Sequence, residues 1–328
     1  MSIQRRRALQ GLAGSVFASA FPLARAEDVW PSRPVTYIVP FTPGGSTDVI
    51  GRTLCQKLQE AFGQPFIVDN KPGAAGAVGA SYVAKARPDG YTLFGGTIST
   101  HAINVSLYKN LSYDPVKDFE PVSLTATLPN VLIVDPRLGV NSVAELIALL
   151  KRDPSKRIFA SSGAGTSTHL AGEMFADLIG VPLTHIPYKG TPPAMMDVAS
   201  GQVPFMFDQM TAAVALVQAG KLKLLAVTTG KRIALAPQLP TMIESGVPNF
   251  EMSSWQAVYA PRGTPRPIIQ KLSTEIRRIL ALPDVKEKLG HQLGMELVGS
   301  TPEELAAHMA REIPRWAALV KKSGASAN

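Results

Sequence analysis

Two hydrophobic periods alternate along this chain. Val35 to Val39 is an unbroken apolar run of strand length. It ends on Pro40-Phe41-Thr42-Pro43-Gly44-Gly45-Ser46-Thr47-Asp48, and a helical pattern follows, with Val49, Ile50, Thr53, Leu54, Leu58, Ala61 and Phe62 on one face. The stretch therefore reads strand, glycine turn, helix N-terminus. The same alternation continues. Strands are predicted over 65–70, 91–94, 131–134, 157–160, 182–187, 203–209 and 222–227. Helices are predicted through Val83-Ala84, over 143–150 with Asn141 or Ser142 as N-cap, along Leu170, Met174, Phe175, Leu178 and Ile179, and over 194–199 ending at Gly201. Residues 119–128 and 253–261 read as extended crossings, and 240–248 as loop around a short helix. The chain closes with amphipathic helices over 268–280 and 302–321, the second opened by a Thr301/Glu304 capping box. Recurrent β-α-β order predicts an α/β fold with parallel sheets.

The turn at 40–48 points several backbone N–H groups and the positive end of a helix dipole at one spot, where an anion fits. A capped turn with Ser46 or Thr47 as N-cap explains the same letters equally well. The idea returns at Ser161-Ser162-Gly163-Ala164-Gly165-Thr166-Ser167-Thr168-His169, again between a strand and a helix. Gly95 to His101 and Asp208 lie at the C-terminal ends of predicted strands, where ligands sit in open α/β sheets.

Length and charge narrow the class. The 328 residues suggest two domains. The formal charge is +8, but Arg5, Arg6, Arg7 and Arg25 stand in residues 1–26 without an acid; the remaining 29 basic and 25 acidic side chains leave +4. No Lys/Arg cluster with interleaved aromatics occurs, so nucleic acid is not an expected partner. Arg5–Arg7, the apolar stretch from Leu9 to Phe21, and Leu23-Ala24-Arg25-Ala26 read as an export signal over residues 1–26, with cleavage after Ala26. Cys55 is the single cysteine, which leaves no intrachain disulfide; inside the first helix it reads as a small buried residue.

Enzyme signatures are weak. The nucleophile elbow and Walker A are absent, and no two of His101, His169, His185, His291 and His308 have metal-ligand spacing. Gly73, Gly76 and Gly79 follow G-x-x-G-x-x-G, which fits close helix packing better than a dinucleotide fingerprint. Neither cofactor nor metal is expected. A cleft hydrolase or lyase using Asp208 with His101 or His169 stands as the enzymatic alternative.

Taken together, the 40–48 stretch, Asn70-Lys71-Pro72-Gly73-Ala74-Ala75-Gly76, Pro88 to Leu93, Tyr113 to Phe119, Gly163 to Leu170, Pro187-Tyr188-Lys189-Gly190 and Ala260 to Pro265 resemble the Bug-type receptors of tripartite tricarboxylate transporters. The resemblance covers nearly all of residues 27–328. It implies a two-lobed periplasmic binding fold, type II-like, with parallel-rich sheets in each lobe and the ligand in the interlobe cleft. Lobe 1 would be residues 27–128 plus 253–328, and lobe 2 residues 129–252. Two loops would hold a ligand carboxylate as pincers: Phe41, Thr42, Pro43, Gly44, Gly45, Ser46, Thr47 and Asp48 on one side, and Ser162, Gly163, Ala164, Gly165, Thr166, Thr168 and His169 on the other. Thr97, Ser99, His101, Tyr188, Asp208 and Trp255 would line the far end. The implied function is a monomeric periplasmic receptor that delivers a small organic carboxylate to a membrane permease; an adaptor feeding a sensor protein is the variant reading.

Overall fold

The computed structural model describes residues 30–323; the export-signal reading falls on residues 1–26 and lies outside them. The chain runs β1 (Val35–Val39), α1 (Ser46–Phe62), β2 (Phe66–Asn70), α2 (Ala77–Ala84), β3 (Thr92–Thr97), α3 (Asn104–Leu107), β4 (Phe119–Val134), α4 (Val143–Arg152), β5 (Ile158–Ser161), α5 (Ser167–Ile179), β6 (Thr184–Pro187), α6 (Thr191–Ser200), β7 (Phe205–Gln209), α7 (Met210–Gln218), β8 (Lys223–Val227), β9 (Ser253–Pro261), α8 (Arg266–Leu280), a single turn α9 (Pro283–Val285), β10 (Glu296–Leu297) and α10 (Pro302–Ser323).

β4 organises the molecule. The two runs expected over 119–128 and 131–134 are one strand of 16 residues. Its first part, Phe119 to Pro129, pairs antiparallel with β9. Its last part, Asn130 to Val134, pairs antiparallel with β7 and β8. Around the first part lie the parallel strands β2, β1 and β3; beyond the second lie the parallel strands β7, β5 and β6. The sheet order is β2-β1-β3-β9-β4-β7-β5-β6. The sheet is thus parallel at its flanks, as expected of a parallel-rich α/β fold, and antiparallel where β4 and β9 carry the chain between halves. Short β-α connections force the parallel flanks, whereas β4 and β9 cross over without a helix of their own and run in opposite directions.

Phe94, Phe119, Phe159, Phe175, Phe205, Phe207 and Phe250 are buried along the sheet, with Trp316 of α10 on the same core. The Thr301/Glu304 capping box forms as expected, with the Glu304 carboxylate accepting from Thr301 N–H and the Thr301 hydroxyl from Glu304 N–H. Cys55 is buried, and burial pushes its thiol up to about 12. Gly79 supports the packing reading of the glycine triplet: a Cβ there would sit 3.1 Å from the Cα of Pro40. Two helices escape the pattern. Ser99–Ile103 and α3 form a continuous helical stretch where a loop was expected, and α7 follows directly on β7. Among the described residues no helix is long and apolar enough to cross a membrane.

Candidate functional site

α1 begins without a side-chain cap. Gly45 is its N-cap, in extended backbone, and neither Ser46 nor Thr47 serves as expected. The Ser46 hydroxyl is engaged elsewhere: it accepts from Gln256 Nε2 at 2.8 Å and donates to Gln209 Oε1 at 3.5 Å. The loop is held from below by Asp48. Its Oδ2 accepts from Gly44 N–H (3.0 Å) and Arg52 Nε (2.8 Å), and its Oδ1 from Asn70 Nδ2 (3.0 Å). Burial works to raise the Asp48 carboxyl, but these donors outweigh it and hold it below the usual range. Asn70 Nδ2 also donates to Phe41 O, which ties the loop to the end of β2.

The second loop is built from hydroxyls. Thr166 caps α5, accepting from His169 N–H at 3.4 Å and donating to Gly163 O at 2.7 Å. Thr168 Oγ1 lies 2.9 Å from Ser162 Oγ and 2.8 Å from Thr166 Oγ1. His169 Nδ1 accepts from Gly165 N–H at 3.0 Å, its Nε2 faces Glu173, and its ring stacks on His185.

Two further helix N-termini reach the same place. Thr191 is the first residue of α6, and Gln209 is the N-cap of α7. α6 opens Thr-Pro-Pro, so two of its early backbone donors are missing, and it offers the Thr191 N–H and the helix dipole, while the Thr191 hydroxyl turns to Asp208. Behind both sits Asp208, fully buried, with Gln209 N–H on its Oδ1 at 2.7 Å. Burial pushes its carboxyl up to about 7, against the pull of the Thr191 hydroxyl and the Gln209 amide.

These four termini surround a cavity lined by Phe41, Gly45, Ser46, Thr47, Thr97, Ser99, Ser162, Thr166, Ser167, Thr191, Gln209, Ser254 and Gln256. Nine of the thirteen lining residues carry a hydroxyl and none carries a charge. Such a surface stabilises an anion by oriented dipoles and neutral donors, without a counter-ion. The cavity measures about 30 Å³, space for about two waters. A Cβ on Gly190 would collide with Thr42 Oγ1, and one on Gly44 would touch Pro192 at 3.6 Å, so residues on either side of β4 meet across the cleft.

The structure sorts the expected site residues into layers. Phe41, Gly45, Ser46, Thr47, Thr97, Ser99, Ser162 and Thr166 line the cavity. Gly163, Ala164 and Tyr188 line a neighbouring one. Thr42 makes the cross-cleft contact, while Pro43 and Gly44 form the exposed crest of the loop. Asp48, Gly165, Thr168 and His169 stand behind, bracing the loops.

Of the six residues expected at the far end, three are absent from the lining of either cavity. His101 is fully buried, stacked on Tyr259 at 3.7 Å and bonded through Nδ1 to Thr100; burial pushes its imidazole down to about 3. Trp255 is turned into the core, donating to Glu312. Asp208, expected to be exposed at its strand end, is enclosed beneath Gln209. Asp208 pairs with Gln209 N–H, whereas His101 pairs with Thr100 and His169 with Gly165 N–H and Glu173. Ser167, Thr191, Gln209, Ser254 and Gln256 line the cavity without having been assigned to it. Strand alternation was the available signal for two of them, since Ser254 and Gln256 share the face opposite Trp255.

Two halves joined by a long strand, meeting across a neutral, donor-lined cleft, define a two-lobed solute-binding protein. A family model described as "Tripartite tricarboxylate transporter family receptor" matches residues 50–325, and the chain belongs to that family. It is 38% identical over 326 residues to Protein BugT of Bordetella pertussis, covering 99% of each chain. Among solved structures it is similar to R. palustris Rpa4515 with adipate (41% identity, TM-score 0.88, covering 90% of this chain and 99% of that one). It is also similar to MatC (Rpa3494) from Rhodopseudomonas palustris with bound malate (34% identity, TM-score 0.83, covering 88% of this chain and 99% of that one).

Proposed function

We propose that this chain is an exported periplasmic receptor that captures a small organic carboxylate and hands it to a membrane permease, without covalent chemistry. The observation that carries the reading is the convergence of four helix N-termini on one uncharged, hydroxyl-rich cavity. Within the described residues, 30–128 with 253–323 make one lobe and 129–252 the other in this reading, which the change of β4 partners between Pro129 and Asn130 supports. The relatives bound to adipate and to malate support a carboxylate as the ligand.

The energetics suffice. Micromolar binding requires about −8.2 kcal/mol. Charge-assisted hydrogen bonds contribute about 1.5–3 kcal/mol each, so four to six of them reach that value after the costs of ordering and closure. The two loops act as pincers on the carboxylate, through Ser46 and Thr47 on α1 and Ser162, Thr166 and Ser167 on α5.

A thermal-shift screen of residues 27–328 against aliphatic mono-, di- and tricarboxylates, acidic amino acids, aromatic acids and neutral controls tests this. A ligand at 100 times its Kd stabilises by about 2.7 kcal/mol. The expected result is a selective shift with acids, the compound being recovered unchanged. A shift with neutral compounds alone, or conversion of the bound acid, overturns the reading.

A further inference from the structure

His169 reaches the second loop from behind. Its Nδ1 accepts from Gly165 N–H at 3.0 Å, an arrangement that requires a neutral ring with its proton on Nε2, and Nε2 lies 3.3 Å from Glu173 Oε1. A second ring braces the same loop. His185 stacks on His169 with centroids 3.8 Å apart, and its Nε2 lies 2.6 Å from Ser161 Oγ, which accepts from Gly163 N–H at 3.1 Å. Among the described residues, Glu173 on α5 and His185 on β6 are the titratable groups that face the His169 ring; β5 presents the apolar ring of Phe159.

Gly165 is the point where this bracing meets the cleft. Its φ is 84°, and a Cβ on it would fall 1.9 Å from Leu107 Cδ2, so its backbone is pressed against α3 on the other side. Thr166 follows directly as the N-cap of α5, and Ser162, Thr166 and Ser167 line the head-group cavity. Gly165 is buried, so without Nδ1 its N–H would be an unpaired donor away from water.

We propose that His169 is a positioning residue for anion capture: its neutral ring fixes the Gly165 peptide, and so the cavity-facing end of α5, while a proton added at Nδ1 withdraws the acceptor and loosens that end. The inference rests on the head-group reading above. The proton has one place to go, because Nε2 already carries one. Its arrival sets two N–H groups against each other where a hydrogen bond stood, and the loop must move to separate them. Acidification therefore weakens capture.

Calorimetric titration of residues 27–328 with adipate, malate and the tightest-binding acid of the screen, from about pH 7.5 to about pH 5.5, tests this in the unmodified protein, His169→Asn and His169→Phe. Asparagine places an acceptor, Oδ1, near the position of Nδ1 and takes up no proton; phenylalanine keeps the stacked ring and offers no acceptor. The titrations of the acid itself and of Asp208 are common to all three proteins and cancel when they are compared at one pH. The unmodified protein should bind within about threefold of His169→Asn at the upper pH and about fivefold or more weakly than it at the lower. His169→Phe should bind about fivefold or more weakly than the unmodified protein at the upper pH, and that gap should narrow as pH falls. Each comparison tests the assignment without the other, should one variant not fold. An unmodified protein that tracks His169→Asn at every pH, or a His169→Phe variant that binds as tightly as the unmodified protein at the upper pH, overturns the assignment while the head-group reading stands. Affinity that rises on acidification, and loses that rise in His169→Asn, also overturns it, since the imidazolium would then act as a counter-ion. Failure of every acid to bind overturns the head-group reading and the inference with it.

Discussion

Gln256 Nε2 donates to Ser46 Oγ at 2.8 Å and thereby joins the middle of β9 to the first turn of α1, while its own Oε1 is left buried without a partner. Ser46 passes the interaction on to Gln209 Oε1, so one hydroxyl links the two sides of the cleft. Rotating the Gln256 amide turns an acceptor into a donor toward the cavity, with Oε1 then accepting from Ser46. Glutamate cannot make that exchange. Gln256→Glu is expected to weaken carboxylate binding at least tenfold, about 1.4 kcal/mol, by placing like charge against the ligand. Titration of Gln256→Glu beside Gln256→Met checks it: equal losses in both variants would remove the charge argument.

Gly190 lies against Thr42 across the cleft. Its backbone is extended and any residue can adopt it, but a side chain there meets Thr42 across the cleft. Gly190→Ala should overpack this contact by about 1–3 kcal/mol and cost roughly five- to 150-fold in affinity. The ligand-free melting temperature should fall by less than that of the liganded protein, in which the contact across the cleft is held in place. Unchanged affinity would show that this contact is not part of the liganded state.

Trp255 separates fold from function. Its Nε1 and that of Trp316 both donate to Glu312 Oε2, at 3.0 and 2.9 Å. Trp255→Phe should destabilise by about 1–3 kcal/mol through the donor lost to a buried carboxylate. Affinity should hold within about twofold. A large affinity loss at unchanged stability would return Trp255 to the ligand site.

Asp208 should leave a signature in the pH dependence of stability. Its carboxyl is pushed up from 3.8 to about 7 by burial, so between these values the folded protein holds a proton that the unfolded chain releases. Its contribution is therefore complete below pH 3.8 and is lost as pH rises through 7. His101 and His185, both pushed down from 6.5 to about 3 by burial, work in the opposite direction: their contribution is present above 6.5 and lost as pH falls. The difference in unfolding free energy between the natural protein and Asp208→Asn isolates the carboxyl. It should fall by about 2–4 kcal/mol from pH 4 to pH 7 and be flat above. A flat difference throughout would mean that Asp208 titrates normally.

The elements were legible in the chain because most strands and most helices carry one clear period; the two-residue β10 is too short to show one. Val35–Val39, Ser253–Pro261 and the Ser142-capped helix stand where the pattern puts them. The α1 and α5 termini of the site were legible for the same reason. The errors at the site are largely errors of parity. Asp208 and Trp255 were favoured for their chemistry, yet in a strand the adjacent residue faces the other way, and Gln209, Ser254 and Gln256 meet the cavity instead. Which face of β7 and β9 turns to the cleft depends on how the strands pair, and that is a tertiary fact. His101 was misplaced for a different reason: helical backbone over 99–107 draws it under Tyr259. α6 announces itself by Thr-Pro-Pro, a helix-start signal, but nothing local to it says that it points at α1.

The central claim is that helix N-termini and neutral donors hold a carboxylate because of its charge. Calorimetric titration of residues 27–328 with the tightest-binding acid and with its primary amide, at the same chain length, tests this most directly. The two head groups are nearly equal in size, and only one is an anion able to accept at both positions. The amide should bind at least 100-fold more weakly, about 2.7 kcal/mol, the worth of one to two charge-assisted bonds. An amide that binds within a few-fold of the acid would contradict the claim and leave the convergent helix termini without the role assigned to them.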